Sequence, residues 1–245
     1  MAGIITLKNI TKYFEEDEKK LLVLDDIDLE IEAGEFFVLV GPSGSGKSTL
    51  LRIMSGLEKT YKGEVVLDKS VGKNDMSFVF QQFAVLPWLT VYQNIELGLF
   101  AKKLDEKARH SIVMKELKQF GLEKFAHSRP RDLSGGMRQR VGIARALATE
   151  PKIIFMDEPF SELDSFTAEE LRKELLAIWA DRKPTIVMVT HIIAEAIELA
   201  DRIAVLTPRP ARLEKVVKDS LVRPRAMRSP EVFNLEDQLY QLIRP

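Results

Sequence analysis

Gly41-Pro42-Ser43-Gly44-Ser45-Gly46-Lys47-Ser48-Thr49 is the stretch whose reading decides the fold. It fits G-x-x-x-x-G-K-[ST], and its flanks supply the strand and helix that the pattern requires. The apolar run Phe36-Phe37-Val38-Leu39-Val40 precedes it, and Thr49-Leu50-Leu51-Arg52-Ile53-Met54 continues beyond. Residues without a Cβ let successive backbone N–H groups close around phosphate oxygens. Lys47 adds a point charge that would reach the β and γ phosphates, and the Ser48 hydroxyl would ligate Mg²⁺. The start of the following helix contributes a partial positive charge. An ordinary glycine turn would need none of this to be in register.

On the N-terminal side, apolar residues tend to alternate through Ile5, Leu7 and Ile10, and again through Leu22, Leu24, Ile27, Leu29 and Ile31. This predicts antiparallel strands, with Glu15-Glu16-Asp17-Glu18-Lys19-Lys20 as a solvated hairpin tip. On the C-terminal side, Gly63–Leu67 and Ser77–Phe80 read as strands. Residues from about 90 to 149 then take helical spacing: Val91, Ile95 and Leu99; Ile112, Leu117 and Phe120; and, after Pro130, a face of Met137, Val141, Ala144 and Ala148. Short apolar strands return at Ile153–Met156, Thr185–Val189 and Ile203–Leu206, alternating with helices after Thr167 and His191. Thr167 with Glu170 fits a capping box for the first of these helices. Prolines at 208, 210, 224 and 230 mark the tail, where Ser229-Pro230 opens a terminal helix through Phe233, Leu239 and Ile243.

The expected fold class is therefore α/β. It is a P-loop NTPase core, a mixed sheet flanked by helices with an N-terminal antiparallel β subdomain, into which an α-helical subdomain is inserted. The core takes residues 1–82 and 150–206, the helical subdomain 83–149 and the tail 207–245.

A chain of 245 residues can bury one such core with an insertion. Its 36 Lys and Arg against 37 Asp and Glu leave a net charge of −1, so the whole-chain field that draws nucleic acid to basic proteins is missing, and no nucleic-acid partner is expected. The absence of cysteine excludes disulfides and thiolate metal sites. No apolar run approaches the ~20 residues that cross a bilayer, and Met1–Asn9 is too short and polar for a signal peptide. A membrane role would have to come through a partner.

A second anion-binding sequence lies at Leu133-Ser134-Gly135-Gly136-Met137-Arg138-Gln139-Arg140. Ser134 as a helix cap would be unremarkable alone. Here the first loop already cradles a triphosphate, so a second cradle suits the other face of an ATP bound by another copy, in a head-to-tail pair. At Ile153–Pro159 two acids end a buried strand, where open α/β sheets hold ligands. Asp157 suits Mg²⁺, through water, and Glu158 suits orienting or deprotonating the water that attacks the γ-phosphate.

In this order the motifs resemble the ATP-binding cassette (ABC) family over essentially the whole chain. The resemblance implies that Tyr13 stacks on adenine and that Gln81 reaches metal and attacking water, with Gln82 taking that role if the register slips by one. It also implies that Ser134, Gly135, Gly136 and Gln139 meet the partner's ATP, that Asp164 touches the partner subunit, and that His191 contacts the γ-phosphate. The implied cofactors are ATP and Mg²⁺, the metal held by Ser48, Gln81 and Asp157. Two departures, Ile192 in place of the usual acid and Glu162 in place of a small residue, bear on the fine geometry of their loops. His110 and His127 read as surface residues.

The stretch Phe83-Ala84-Val85-Leu86-Pro87-Trp88-Leu89 is apolar and holds a tryptophan, which reads as a docking surface for a permease helix, or else as core. Within the family the chain looks most like the importer ATPases for nitrate, taurine and alkanesulfonates. Three features carry this: Leu86–Val91, Met137–Arg140, and Arg223-Pro224-Arg225 with Ser229-Pro230. Expected partners are a second ATPase subunit, two transmembrane permease subunits and an extracytoplasmic substrate-binding protein, with the chain peripheral at the cytoplasmic membrane face. A built-in C-terminal regulatory domain is not expected. A non-transport ABC ATPase acting in DNA repair or on ribosomes is the rival reading, and an exporter's ATPase a nearer one. From Arg202 to Arg228 eight basic residues outnumber Glu214 and Asp219; a solvated face is the expectation, a lipid or partner contact the alternative.

Overall fold

A computed structural model describes residues 3–16 and 19–243. The chain forms two compact units, Met1–Val71 with Pro184–Pro245, and Gly72–Lys183. In the first unit, β1 (Ile5–Glu16) pairs antiparallel with β2 (Lys19–Ile31) on one side and β4 (Lys62–Leu67) on the other. Of the alternating residues, Ile5, Leu7, Ile10, Leu24, Ile27, Leu29 and Ile31 are buried and Leu22 is half-buried. The tip residues Asp17 and Glu18 lie outside the described residues.

The second sheet of this unit is mixed. Strand β3 (Phe36–Val40) runs parallel to β7 (Thr185–Val189) and to β8 (Arg202–Leu206), and β9 (Leu213–Lys218) adds antiparallel to β8. All five residues of β3 and all five of β7 are buried, which is why they read as unbroken apolar runs rather than alternations. Helices α1 (Lys47–Met54), α6 (Ile193–Leu199) and α7 (Pro230–Ile243) complete the unit.

In the second unit, β5 (Met76–Val79) pairs parallel with β6 (Ile153–Asp157). Between them in sequence lie α2 (Val91–Glu96), α3 (Glu106–Gln119) and α4 (Gly135–Ala148), and α5 (Ser165–Arg182) follows β6. The expected α/β class, with an N-terminal antiparallel sheet and a helical segment between strands, is the observed one.

Four local expectations are corrected. Thr167 does not cap α5. Asp164 does, its carboxylate accepting from the N–H groups of Phe166 and Thr167 at 3.2 and 3.1 Å, because an acid three residues upstream reaches the orphan amides first. On α3 the buried residue is Val113 rather than Ile112, one position further round the helix. The segment read as a tail opens with strand β9, paired along β8.

The basic segment, finally, is a solvated face only in part. Arg202 pairs with Glu35 at 3.1 Å, Arg212 with Asp25 at 2.5 Å and Arg223 with Asp201 at 2.6 Å. Arg225 is buried, 3.3 Å from Asp219, and donates to the carbonyls of Ile197 and Ala200. Burial pushes the Asp219 carboxyl up and the Arg225 guanidinium down, so neither charge is comfortable without the other. Arg209, Arg212, Lys215, Lys218 and Arg228 are the exposed members of the eight.

Candidate functional site

The phosphate loop leaves β3 at Val40 and enters α1 at Lys47. A Cβ on Gly41 would stand 2.7 Å from the Leu206 carbonyl oxygen. Gly46 has φ 104°, and a Cβ there would meet Val23 Cγ1 at 2.8 Å and Leu24 Cδ2 at 2.9 Å. Both positions need glycine, the first for close approach and the second for backbone conformation as well. Lys47 is buried, its Nζ donating to the carbonyls of Gly41 and Pro42, each at 2.9 Å. Beside it the Ser45 hydroxyl is buried with no hydrogen-bond partner, and α1 has no side-chain cap.

A buried cation, an orphaned hydroxyl and an uncapped helix start behind a glycine cradle fit a polyphosphate. Ser48 and Thr49 continue the first turn of α1, and Pro42, Ser43 and Gly44 form the outer part of the loop.

Two other expected residues belong to the same unit. Tyr13 is half-exposed and lines a cleft of about 680 Å³ with Lys12, Phe14, Thr60 and Tyr61; Lys62 Nζ lies 5.7 Å from its ring centre. His191 follows β7 and is exposed. The turn carrying it is fixed from below. The Thr190 hydroxyl donates to the buried Glu195 carboxylate at 2.6 Å and accepts from Ile192 N at 3.1 Å, so the residues on either side of His191 are both held. Sequence reasoning passed over Glu195, although a buried acid one helical turn beyond the histidine is a readable signal.

In the second unit, Gln81 and Gln82 lie just past β5 and both are exposed. The chain beyond them is strapped to α4. Arg145 Nη1 donates to the Ala84 carbonyl at 2.8 Å, and the Arg138 guanidinium lies 5.2 Å from the Phe83 ring centre. Buried Asn94 then clasps the next turn, accepting from Leu86 N at 2.8 Å and donating to the carbonyls of Leu86 and Thr90. The result is a built loop that leaves Trp88 67% exposed, so the core reading of this tryptophan falls.

Asp157 ends β6 and is buried, while Glu158 is half-buried with φ 44°, a left-handed conformation uncommon for a side chain of its size. The Ser161 hydroxyl donates to the Glu158 carbonyl at 3.0 Å.

Ser134 is exposed and caps α4, accepting from Met137 N at 3.3 Å. Gly135 is half-buried and Gly136 buried, where an added Cβ would fall 2.3 Å from Thr167 Cγ2. Gln139 is fully buried, with neither amide atom hydrogen-bonded. In the single chain Gln139 therefore presents no accessible atom toward a nucleotide held by another copy. Asp164 is exposed at the start of α5, and the Thr167 hydroxyl and N–H hold its carboxyl below the usual carboxylate range. Its neighbour Phe166 is 81% exposed.

His110 and His127 are exposed, as expected, His110 bonding the Tyr92 hydroxyl at 3.1 Å. Among the described residues no group of three His, Asp or Glu could hold a metal ion. A cation bound through substrate phosphates with one carboxylate, a hydroxyl and waters does not call for such a group. No described helix is long and apolar enough to cross a membrane.

Residues 24–161 match the family model described as ABC transporter. The chain belongs to the ABC transporter family. It is an ABC-type ATPase. Relatives include an uncharacterised ABC transporter ATP-binding protein of Methanocaldococcus jannaschii, 43% identical over 98% of this chain and 91% of that one. The aliphatic sulfonates import ATP-binding protein of Bacillus subtilis is 43% identical over 94% of this chain and 90% of its own. The nitrate import ATP-binding protein of Synechocystis is 37% identical over 98% and 95%. Among solved structures, the dimeric post-hydrolysis state of the ATP-binding cassette MJ0796, bound to ADP and Pi, aligns with a TM-score of 0.78 at 37% identity, covering 89% of this chain and all of that one.

Proposed function

We propose that this ABC ATPase drives an importer for a small oxyanion such as nitrate, taurine or an alkanesulfonate, closing head to tail with a second copy when ATP binds and opening after hydrolysis. The observation that carries the reading is the likeness, across nearly the whole chain, to import ATP-binding proteins for aliphatic sulfonates and for nitrate. The exposed Trp88 on its Asn94-clasped loop supports docking on two permease subunits, with an extracytoplasmic binding protein delivering the anion and the ATPase peripheral at the cytoplasmic face.

In this reading Gly41–Thr49 holds the triphosphate, Lys47 turning from the carbonyls of Gly41 and Pro42 to the β and γ phosphates, and Tyr13 stacks on adenine. Mg²⁺, when bound, neutralises phosphate charge; Ser48, Gln81 and Asp157 are the residues of this chain that would hold it. The Glu158 carboxylate orients the attacking water and takes its proton, and His191 hydrogen-bonds the γ-phosphate. Ser134, Gly135 and Gly136 meet the γ-phosphate of the partner's ATP, beside a contact made by Asp164.

The test is mass spectrometry of what co-purifies with a tagged Glu158→Gln chain from ATP-treated, gently solubilised membranes, with a Trp88→Ala version alongside. A multi-span permease with a binding protein, less of it with Trp88→Ala, is the expected result. A permease without any binding protein would point to an exporter, and only ribosomal or DNA-associated partners to a non-transport ATPase; either would overturn the importer reading.

A further inference from the structure

The phosphate loop is braced from outside by a residue that none of its motif accounts for. Arg209 stands in the loop between β8 and β9 and donates from both Nε and Nη2 to the Gly44 carbonyl, at 3.1 and 2.7 Å. Gly44 lies mid-loop, between the ends that Leu206 and the Val23–Leu24 pair already press upon at Gly41 and Gly46.

The arginine's own support is rigid. Thr207 N donates to the Arg212 carbonyl at 3.0 Å, and Arg212 N donates to the Thr207 hydroxyl at 2.9 Å, closing the 207–212 turn on itself. Ala211 and strand β2 exchange backbone bonds with Val23 and Asp25 at 2.9 Å each, and the Arg212 guanidinium grips the Asp25 carboxylate. The turn is therefore fixed to the same strand whose Val23 and Leu24 back Gly46. A planar guanidinium reaching one carbonyl with two donors sets both the direction and the position of that peptide.

We propose that Arg209 is a positioning residue for nucleotide binding. By fixing the Gly44 carbonyl it holds residues 42–46 in the shape that receives phosphate, so less ordering is left for the nucleotide to impose. This goes beyond reading the basic stretch as a solvated face or lipid contact. It rests on the assignment of Gly41–Thr49 to ATP. Arg209 is exposed, so water competes for the same carbonyl and the effect is moderate.

The experiment compares wild type, Arg209→Ala, Arg209→Lys and Arg209→Gln in two measurements. The first is amide hydrogen exchange over residues 41–49 in nucleotide-free protein; the second is calorimetric Kd for Mg-ADP, with the KM and kcat for ATP. Arg209→Ala is expected to speed exchange at residues 43–46 and to raise Kd and KM by about threefold to tenfold. The kcat at saturating ATP and the thermal midpoint should stay unchanged. Arg209→Lys, which keeps the charge but loses the two-donor grip, should recover only part of the affinity, and Arg209→Gln less.

Unchanged exchange and unchanged affinity in Arg209→Ala would overturn the proposal. So would full rescue by lysine without any effect on exchange, since the charge alone would then be responsible. Loss of folding in all three variants would assign Arg209 to the fold and overturn it equally. If wild type failed to bind ADP, the ATP assignment would fall, while the exchange comparison would still report on the brace.

Discussion

Two glycine-rich turns open two helices in this protein, and they are built on opposite plans. The turn before α1 is closed: Lys47 and Ser45 are buried, the helix has no side-chain cap, and Val23, Leu24 and Leu206 leave no room for a Cβ at Gly41 or Gly46. The turn before α4 is open: Ser134 is exposed, it caps its own helix, and Gly136 is glycine because α4 passes close to Thr167. The first turn has its own cation and an unanswered hydroxyl, so it can hold a phosphate chain within one copy. The second presents an exposed hydroxyl and a helix start, which in the proposed reading another copy's nucleotide would meet.

The largest effect that sharpens this contrast is expected from Lys47→Ala. Removing a buried charge that would meet the β and γ phosphates should weaken nucleotide binding by about a hundredfold or more, as read by calorimetry with a non-hydrolysable ATP analogue. Affinity within a few-fold of wild type would erase the special status of the first turn.

Gly136→Ala is the next largest. The added Cβ must displace Thr167, and overpacking of this kind costs about 1–3 kcal/mol, visible as a lower midpoint in denaturant. Its ADP affinity should be unchanged, since neither Gly136 nor Thr167 belongs to the 41–49 loop.

Ser134→Ala is the smallest. Loss of the cap should cost about 1 kcal/mol of stability and leave ADP binding by the single copy untouched, while lowering ATP-dependent association. An equal loss of single-copy binding would break the division of labour.

How much of this was legible in the sequence follows the range of the interactions. The first turn could be read because its strand, glycines, lysine and helix are contiguous, and β3 and β7 because full burial writes an unbroken apolar run. The cap of α5 is hard to place from sequence because Asp164 is a favoured cap residue while Thr167-x-x-Glu170 fits a capping box, and only the backbone decides which amides are orphaned. Strand β9 was hidden because Leu213-Glu214-Lys215-Val216-Val217-Lys218 is half charged, as an edge strand tends to be, and its pairing with β8 is a tertiary fact.

The arginines of 202–228 were unreadable for the same reason. Their partners, from Asp25 and Glu35 to the carbonyls of Ile197 and Ala200, include groups distant in sequence, and no local pattern records them. Gln139 is different. Its burial follows from the helical period, since it shares a face with Gly136 and Ile143, both buried.

The most direct test of the contrast is the molar mass of Glu158→Gln protein by light scattering after size exclusion, without nucleotide and with ATP, together with the amount of ATP bound. With hydrolysis blocked, the account predicts one chain without nucleotide and two chains with ATP, holding one ATP for each chain. A single chain that carries its full complement of ATP would contradict it, because the open turn would then have no partner to serve.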